Sequence, residues 1–335
     1  MILKNNRFLQ LVPVKYPVIM APMFLVSNVK MVTEALSCGI TAAIPALNYR
    51  TITELKSAIR QIKATSDKPF GINLIVNKSN LKYKSQLEAC LEEGVDYFIT
   101  SLGNPKQCIE LAHKNGARVF CDVTDLRYAL KVEDLGADGV VAVNKHAGGH
   151  SGQMPKEELI PLLRDKLHIP IISAGGIANF THVKEHLDLG AEAVSVGTVF
   201  IASTESPVSD AYKQALVDYG AKDVVMTTKM SGSPLTVIKT PYVEQIGTEA
   251  TWLERLMNKH KWLKKYIKLF IALRGSQAIE KAAFKATYKT VWVAGPVIEY
   301  IREIRPVREI VRDLVYGFEM PGDGHASKPA EEKPG

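Results

Sequence analysis

The feature that most restricts how this chain can fold is a rhythm. Between Pro17 and about Tyr219, short apolar runs alternate with amphipathic stretches. Short apolar runs bounded by turn residues read as buried strands, and apolar residues three and four apart read as helices lying on a core. The predicted strands are Pro17–Met20, Ile40–Ala43, Phe70–Ile75, Tyr97–Thr100, Arg118–Asp122, Gly139–Val143, Pro170–Ala174 and Ala193–Val196. Between and after them lie helical stretches at Ser27–Ser37, Thr51–Ala64, Lys82–Glu93, Pro105–Asn115, Asp125–Leu135, Glu157–Lys166, Asn179–Leu189 and Asp210–Tyr219. Thr51 and Glu54 have the spacing of a capping box. Gly94-Val95-Asp96, Gly136-Ala137-Asp138 and Gly190-Ala191-Glu192 each stand where a helix ends and a strand begins. Glycine ends a helix there by adopting the left-handed conformation. Eight strand–helix repeats with short turns predict a parallel (β/α)8 barrel, the TIM barrel. An open doubly wound sheet is the alternative, but no G-x-G-x-x-G follows the first strand, which counts against its dinucleotide-binding form.

After Tyr219 the alternation stops. Residues 222–294 read as a smaller, mainly helical domain, with Trp252, Leu256, Leu263, Ile267 and Phe270 near helical spacing among lysines. Residues 1–221 then form the barrel. Gly295–Leu314 reads as a helix, part of a segment 295–318 that returns to the barrel, and 319–335 as a polar disordered tail.

Length permits this division, because 335 residues exceed the roughly 250 of a typical barrel. The net charge of +7 raises nucleic acid, anionic membrane and acidic ligands as partners. Its location narrows them. Segment 252–290 holds ten Lys or Arg against Glu254 and Glu280, a net of +8, so the rest of the chain carries −1. A solvated helix face explains such a segment, with attraction of an anionic substrate or cofactor next. Without a recognised binding motif, nucleic acid is not the expected partner. The four cysteines, Cys38, Cys90, Cys108 and Cys121, have neither metal-site nor disulfide-framework spacing and read as reduced core thiols. No metal is expected. No stretch is long and apolar enough for secretion or membrane crossing, so the expected location is cytoplasmic.

In a parallel barrel the chemistry sits where the strands end. Glycines after the seventh and eighth strands can present backbone N–H groups to a phosphate, which makes Gly175, Gly176, Gly197 and Thr198 the candidate phosphate-binding set; taken singly, each loop could equally be a tight turn. Ser173 opens the first of these loops. His150 lies in Ala147-Gly148-Gly149-His150-Ser151-Gly152, where Gly148 and Gly149 let backbone approach a flat ligand and an imidazole can exchange a proton. Hydrogen bonding within the loop is the plainer alternative. Asn73 ends its strand with an amide able to offer donor and acceptor to a heterocycle edge, or to cap a turn. Ala21, Pro22 and Met23 follow the first strand, and the Met23 side chain could equally be core. Lys145 and His146 could face only solvent.

Together these pieces resemble the nitronate monooxygenase family, formerly called 2-nitropropane dioxygenases, and its relatives the flavin-containing enoyl-acyl-carrier-protein reductases. The matching segments are Ala21-Pro22-Met23, Phe70-Gly71-Ile72-Asn73-Leu74, Ser101-Leu102-Gly103-Asn104-Pro105, Gly136-Ala137-Asp138-Gly139, Ala147–Gly152, Ala174-Gly175-Gly176-Ile177 and Gly197-Thr198-Val199-Phe200, with Trp292–Leu314 as a closing segment. The resemblance implies FMN, with its phosphate on Gly175, Gly176, Gly197 and Thr198, its ring near Met23 and Asn73, and His150 beside the substrate. It implies a small-molecule substrate: a nitronate oxidised with O2, or in the reductase alternative an enoyl thioester reduced by NAD(P)H. A homo-oligomer is compatible with it. The sequence departs from the family pattern at His146, where many members have Glu, at Val143-Asn144 in place of Gln-Gly, at Asp122 where some carry Lys, and at Ala294-Gly295-Pro296 in place of A-G-Q.

Two other readings compete. An IMP dehydrogenase type of barrel needs a pocket cysteine, which the loop after the sixth strand lacks; Cys121 reads as a buried thiol. A non-catalytic protein that holds FMN or another phosphate ligand is the alternative from a different class.

Overall fold

The structure is a computed structural model and describes residues 5–77, 80–228, 234–248 and 291–319. The predicted basic helices of 252–290 and the tail from 320 onward lie outside the described residues.

Eight parallel strands close into a barrel: β1 (Val18–Met20), β2 (Thr41–Pro45), β3 (Gly71–Ile75), β4 (Tyr97–Ser101), β5 (Arg118–Val123), β6 (Gly139–Val143), β7 (Ile171–Ala174) and β8 (Ala193–Val196). The ring closes where Val18, Ile19 and Met20 pair with Val194, Ser195 and Val196. Each predicted strand falls on an observed one, with ends shifted by no more than two residues. A short helix, α1 (Arg7–Leu11), precedes β1. The ring helices are α2 (Val29–Ser37), α3 (Ile52–Thr65), α4 (Tyr83–Glu92), α5 (Lys106–Lys114), α6 (Leu126–Asp134), α7 (Lys156–Arg164) and α8 (Phe180–Asp188), followed by α9 (Thr198–Ile201) and α10 (Asp210–Asp218). Thr51 and Glu54 form the expected reciprocal cap on α3.

Alternate residues point into the barrel, and the lower interior is filled by Ile19, Ala43, Tyr97, Ile99, Phe120, Val141, Ile172 and Ala193. The rings of Tyr97 and Phe120 meet edge to face at 5.6 Å. Glycine makes room for them, since a Cβ on Gly71 would lie 2.1 Å from the Tyr97 ring and one on Gly139 3.0 Å from Phe120. α1 plugs the bottom: Phe8 reaches the Phe120 ring at 5.8 Å, and Arg7 pairs with Glu192.

The recurring glycine motif has a second role. Gly94, Gly136 and Gly190 are left-handed, at φ 66°, 89° and 111°. The acid two residues on then secures the bottom of the barrel. Asp96 accepts the Phe70 N–H at 3.1 Å, Asp138 accepts the Val119 N–H at 2.8 Å, and Glu192 accepts the Arg7 N–H at 3.1 Å.

Two expectations need correction. Where the sequence shows no strands after Tyr219, β9 (Val224–Thr227) and β10 (Leu235–Ile238) form an antiparallel pair, followed by α11 (Pro241–Ile246). All four residues of β10 are buried, so the strand carries no alternation to read. Gly295–Leu314 is not one helix. Pro296–Tyr300 forms a tight helical turn, and a separate helix, α12 (Val307–Glu319), starts after Pro306, which disfavours helical backbone in the residue before it. α12 packs on α8 and α2, with Phe318 edge-on to Phe180 at 5.0 Å.

Gly71→Ala is expected to lower unfolding stability by about 1–3 kcal/mol, the usual cost of overpacking. Chemical denaturation checks this, and adding Tyr97→Leu should recover part of the loss because the two sites touch.

Candidate active site

The upper interior of the barrel is polar. Continuing the inward alternation upward from Gly71, Ile99 and Phe120 brings Asn73, Ser101 and Asp122 together from three adjacent strands. The buried Asn73 amide donates from Nδ2 to the Ile99 carbonyl at 3.0 Å and to Ser101 Oγ at 2.8 Å. Ser101 Oγ in turn donates to Asp122 Oδ2. Loss of solvation pushes the Asp122 carboxyl up to about 6, against the opposing effect of the Ser101 hydrogen bond. The result is a carboxyl that titrates near neutrality.

The second half of the mouth is organised by Asn144, a fully buried side chain just past β6. Its Nδ2 donates to the Gly175 carbonyl at 2.9 Å and its Oδ1 accepts the His146 N–H at 2.8 Å. Its backbone carbonyl accepts from Ala147 and Gly152, both at 3.3 Å. One amide therefore folds the 144–152 loop and ties it to the loop after β7. The fit is close: a Cβ on Gly175, at φ 109°, would lie 2.6 Å from Asn144 Oδ1 and from the Ala147 nitrogen.

β10 supports the same loop from outside. Thr236 N–H donates to the Gly149 carbonyl at 2.9 Å, and its hydroxyl donates to the Ala147 carbonyl at 2.8 Å. The closing segment enters beside it, where the Gly295 N–H donates to Thr198 Oγ1 at 3.1 Å. A Cβ on Gly148 would lie 2.8 Å from Gly295 N and from Thr198 Oγ1.

The structure thus brings Gly148, Gly149, Gly175, Gly176 and Thr198 into one neighbourhood, although the loop positions span Gly148 to Thr198 in sequence. Gly197 reaches toward β1, where a Cβ on it would lie 3.6 Å from Ala21 Cβ and from Met23 Sδ. Ala21 donates its N–H to Val196 at 2.8 Å, so Ala21, Pro22 and Met23 begin at the barrel rim. Ser27 and Asn48 hold that loop in place. Ser27 Oγ accepts the Met23 N–H at 2.9 Å, and Asn48 Oδ1 accepts that of Leu25 at 2.8 Å. The backbone N–H groups of Gly175, Gly176, Gly197 and Thr198 find no acceptor among the described residues.

His150 is exposed on its loop, and the protein around it lowers its pKa from the ordinary histidine value by desolvation. Its imidazole is therefore neutral at pH 7. His146 is half-buried beside Gly176, and its pKa is lowered mainly by desolvation as well.

Ser173 does not join the group. Strand alternation turns its side chain outward, where it is fully buried and its Oγ lies 2.7 Å from His186 Nδ1. Cys121 also faces the helices, and burial pushes its thiol up to about 12. Asn144, Thr236 and Gly295 are the supporting residues that sequence reasoning missed as site residues. The Val143-Asn144 departure was the available signal for the first.

The fold and mouth define a (β/α)8-barrel protein with its polar groups gathered at the C-terminal ends of the strands. A family model described as nitronate monooxygenase matches residues 5–317, and the chain belongs to that family of flavin-dependent oxidoreductases. It is similar to the (3aS,4S,5R,7aS)-5-hydroxy-7a-methyl-1-oxo-octahydro-1H-indene-4-carboxyl-CoA dehydrogenase of Mycobacterium tuberculosis, at 30% identity over 71% of this chain and 67% of that protein. It is 28% identical to the nitronate monooxygenase of Pseudomonas aeruginosa over 68% of this chain and 78% of that one. Among solved structures, FabK from Thermotoga maritima superposes with a TM-score of 0.80 at 28% identity, covering 93% of this chain and 96% of that one. Nitroalkane oxidase from Streptomyces ansochromogenes shares the fold, with a TM-score of 0.78 at 21% identity over 92% and 97% of the two chains.

The raised carboxyl has a consequence for stability. Asp122 titrates at about 6 in the folded protein against an ordinary 3.8, so its unfavourable effect is absent below about pH 4 and complete once pH rises past its folded value. Asp122→Asn should therefore stabilise the protein at pH 7–8, by an amount on the order of 2 kcal/mol. The difference should vanish near pH 4 in denaturation measured across that range.

Proposed function

We propose that this protein is an FMN-dependent oxidoreductase of the nitronate monooxygenase type, acting on a small-molecule substrate with His150 as the base. The observation that carries the reading is the set of backbone N–H groups at Gly175, Gly176, Gly197 and Thr198 that have no acceptor among the described residues, on the same rim as the His150 loop. Backbone donors held in this way suit a phosphate. They form the cradle for the FMN phosphate, with Gly148 and Gly149 leaving backbone without side chains beside it. Met23 and Asn73 flank the place of the ring. Bound FMN supplies the exchange of electrons between substrate and acceptor; the chain supplies binding, orientation and proton handling.

His150 performs the proton step. A neutral imidazole can take the proton from the carbon next to a nitro group, and protonation below its lowered pKa removes that ability. Turnover should therefore rise with pH across the acid range and level off below the ordinary histidine value of about 6.5. Asn144 and Thr236 keep the loop carrying His150 in a single shape by holding the backbone around it.

A second reading is reduction of an enoyl thioester with NAD(P)H as electron donor. It is favoured by the 30% identity to a dehydrogenase named for a carboxyl-CoA substrate and by the likeness to FabK. Oxygen uptake with nitroalkanes and alkyl nitronates, set against NAD(P)H oxidation with enoyl thioesters under nitrogen, separates the two, and only the neutral nitroalkane requires the proton step. Flavin-loaded protein that turns over neither substrate would favour a binding protein without catalysis. Purified protein that shows no flavin absorbance after reconstitution with FMN would overturn all the FMN readings. His150→Ala is expected to keep bound flavin while lowering kcat with a neutral nitroalkane by about 10² or more, the usual scale of general acid–base catalysis. Stopped-flow and steady-state kinetics on the flavin-loaded variant check it.

A further inference from the structure

The polar chain at the top of the barrel has a direction. Asn73 Nδ2 spends both of its hydrogens inside the protein, on the Ile99 carbonyl and on Ser101 Oγ. The carbonyl can only accept, so it settles which end of the amide is nitrogen. Ser101 can accept from Asn73 because its own hydrogen goes to Asp122. Asn73 is left with Oδ1 as the only atom it can offer a ligand. Behind that acceptor stands the Asp122 carboxylate.

The surroundings leave this charge uncompensated. Around Asp122, β3 and β4 contribute Asn73 and Ser101, and β6 contributes the paired Val141. The titratable groups that sense it are Tyr128 on α6 and Cys121 on β5; burial first, with a smaller contribution from Asp122, shifts both toward their protonated, neutral forms. No cation among the described residues offsets it. A half-buried negative charge repels another brought near it, and reduced flavin is anionic near neutral pH.

We propose that Asp122 is a positioning residue for the flavin. Through Ser101 it fixes the acceptor face that Asn73 turns to the ring, and its charge makes the site hold the oxidised ring more tightly than the reduced one. This rests on the FMN reading above. Protonating Asp122 removes the charge and frees Ser101 to accept from the carboxyl instead of donating to it, so both effects weaken together.

The test uses the full-length protein, wild type, Asp122→Asn and Ser101→Ala, titrated with FMN. Flavin fluorescence reports affinity for the oxidised form, and equilibrium reduction against a reference dye reports the midpoint potential of the bound form, both from about pH 5 to pH 8. At pH 8 the Asp122→Asn potential should lie above wild type by about 30 mV or more, a tenfold change in relative affinity for a two-electron couple. The gap should close toward pH 5, where the wild-type carboxyl is protonated. Ser101→Ala keeps the charge but breaks the link, so it should bind oxidised FMN several-fold more weakly. Coincident potentials at every pH, or a gap independent of pH, would overturn the role of the charge. Unchanged FMN affinity in Ser101→Ala would overturn the positioning role. Wild type that binds no FMN would instead overturn the reading on which the proposal rests.

Discussion

Everything at the mouth of this molecule depends on the closure of eight short strands around a filled interior. Closure requires inward side chains to alternate with outward ones, and the aromatic rings of Tyr97 and Phe120 occupy the lower half so fully that Gly71 and Gly139 must lack side chains beside them. α1 plugs the bottom, so the described barrel is filled at that end. The same alternation that buries Ile99 and Phe120 therefore delivers Ser101 and Asp122, two residues further on, to the open end.

On this frame the site is held by amides more than by charges. Asn73 and Asn144 are both buried, both donate to a main-chain carbonyl, and each joins neighbouring strands or loops. A buried amide that is satisfied in this way fixes backbone geometry, because breaking either bond would strand a polar atom away from water. The loop with His150 gains a second hold from Thr236 on β10. The β9–β10 pair thus acts as a buttress to the strand-end loops, linking the chain beyond the barrel to the loop after β6.

Much of this was legible in the chain itself. The eight strands were read within two residues of their ends, since strands buried on both faces appear as short apolar runs and the helices between them carry a strong period. The glycine loops after β7 and β8 and the histidine loop after β6 followed once the barrel was inferred. Ser173 shows the limit of position alone: it stands next to last in β7, close to the place Asn73 has in β3, yet its register turns it outward to His186. The sequence shows no alternation for β10 because all four of its residues are buried, and Pro306 splits what reads as one closing helix.

By itself, then, the sequence determined the repeat, the order of the strands, and which loops are rich in glycine, because these follow from local periodicity and from backbone conformations that few residues adopt. Only the tertiary structure decided which of those loops meet, that Gly295 and Thr236 come to the loop of Gly148 and Gly149, and that Asp122 is joined to Asn73 through Ser101. These are contacts between residues distant in sequence. Their partners are set by the register of a closed sheet, and no local pattern encodes that register.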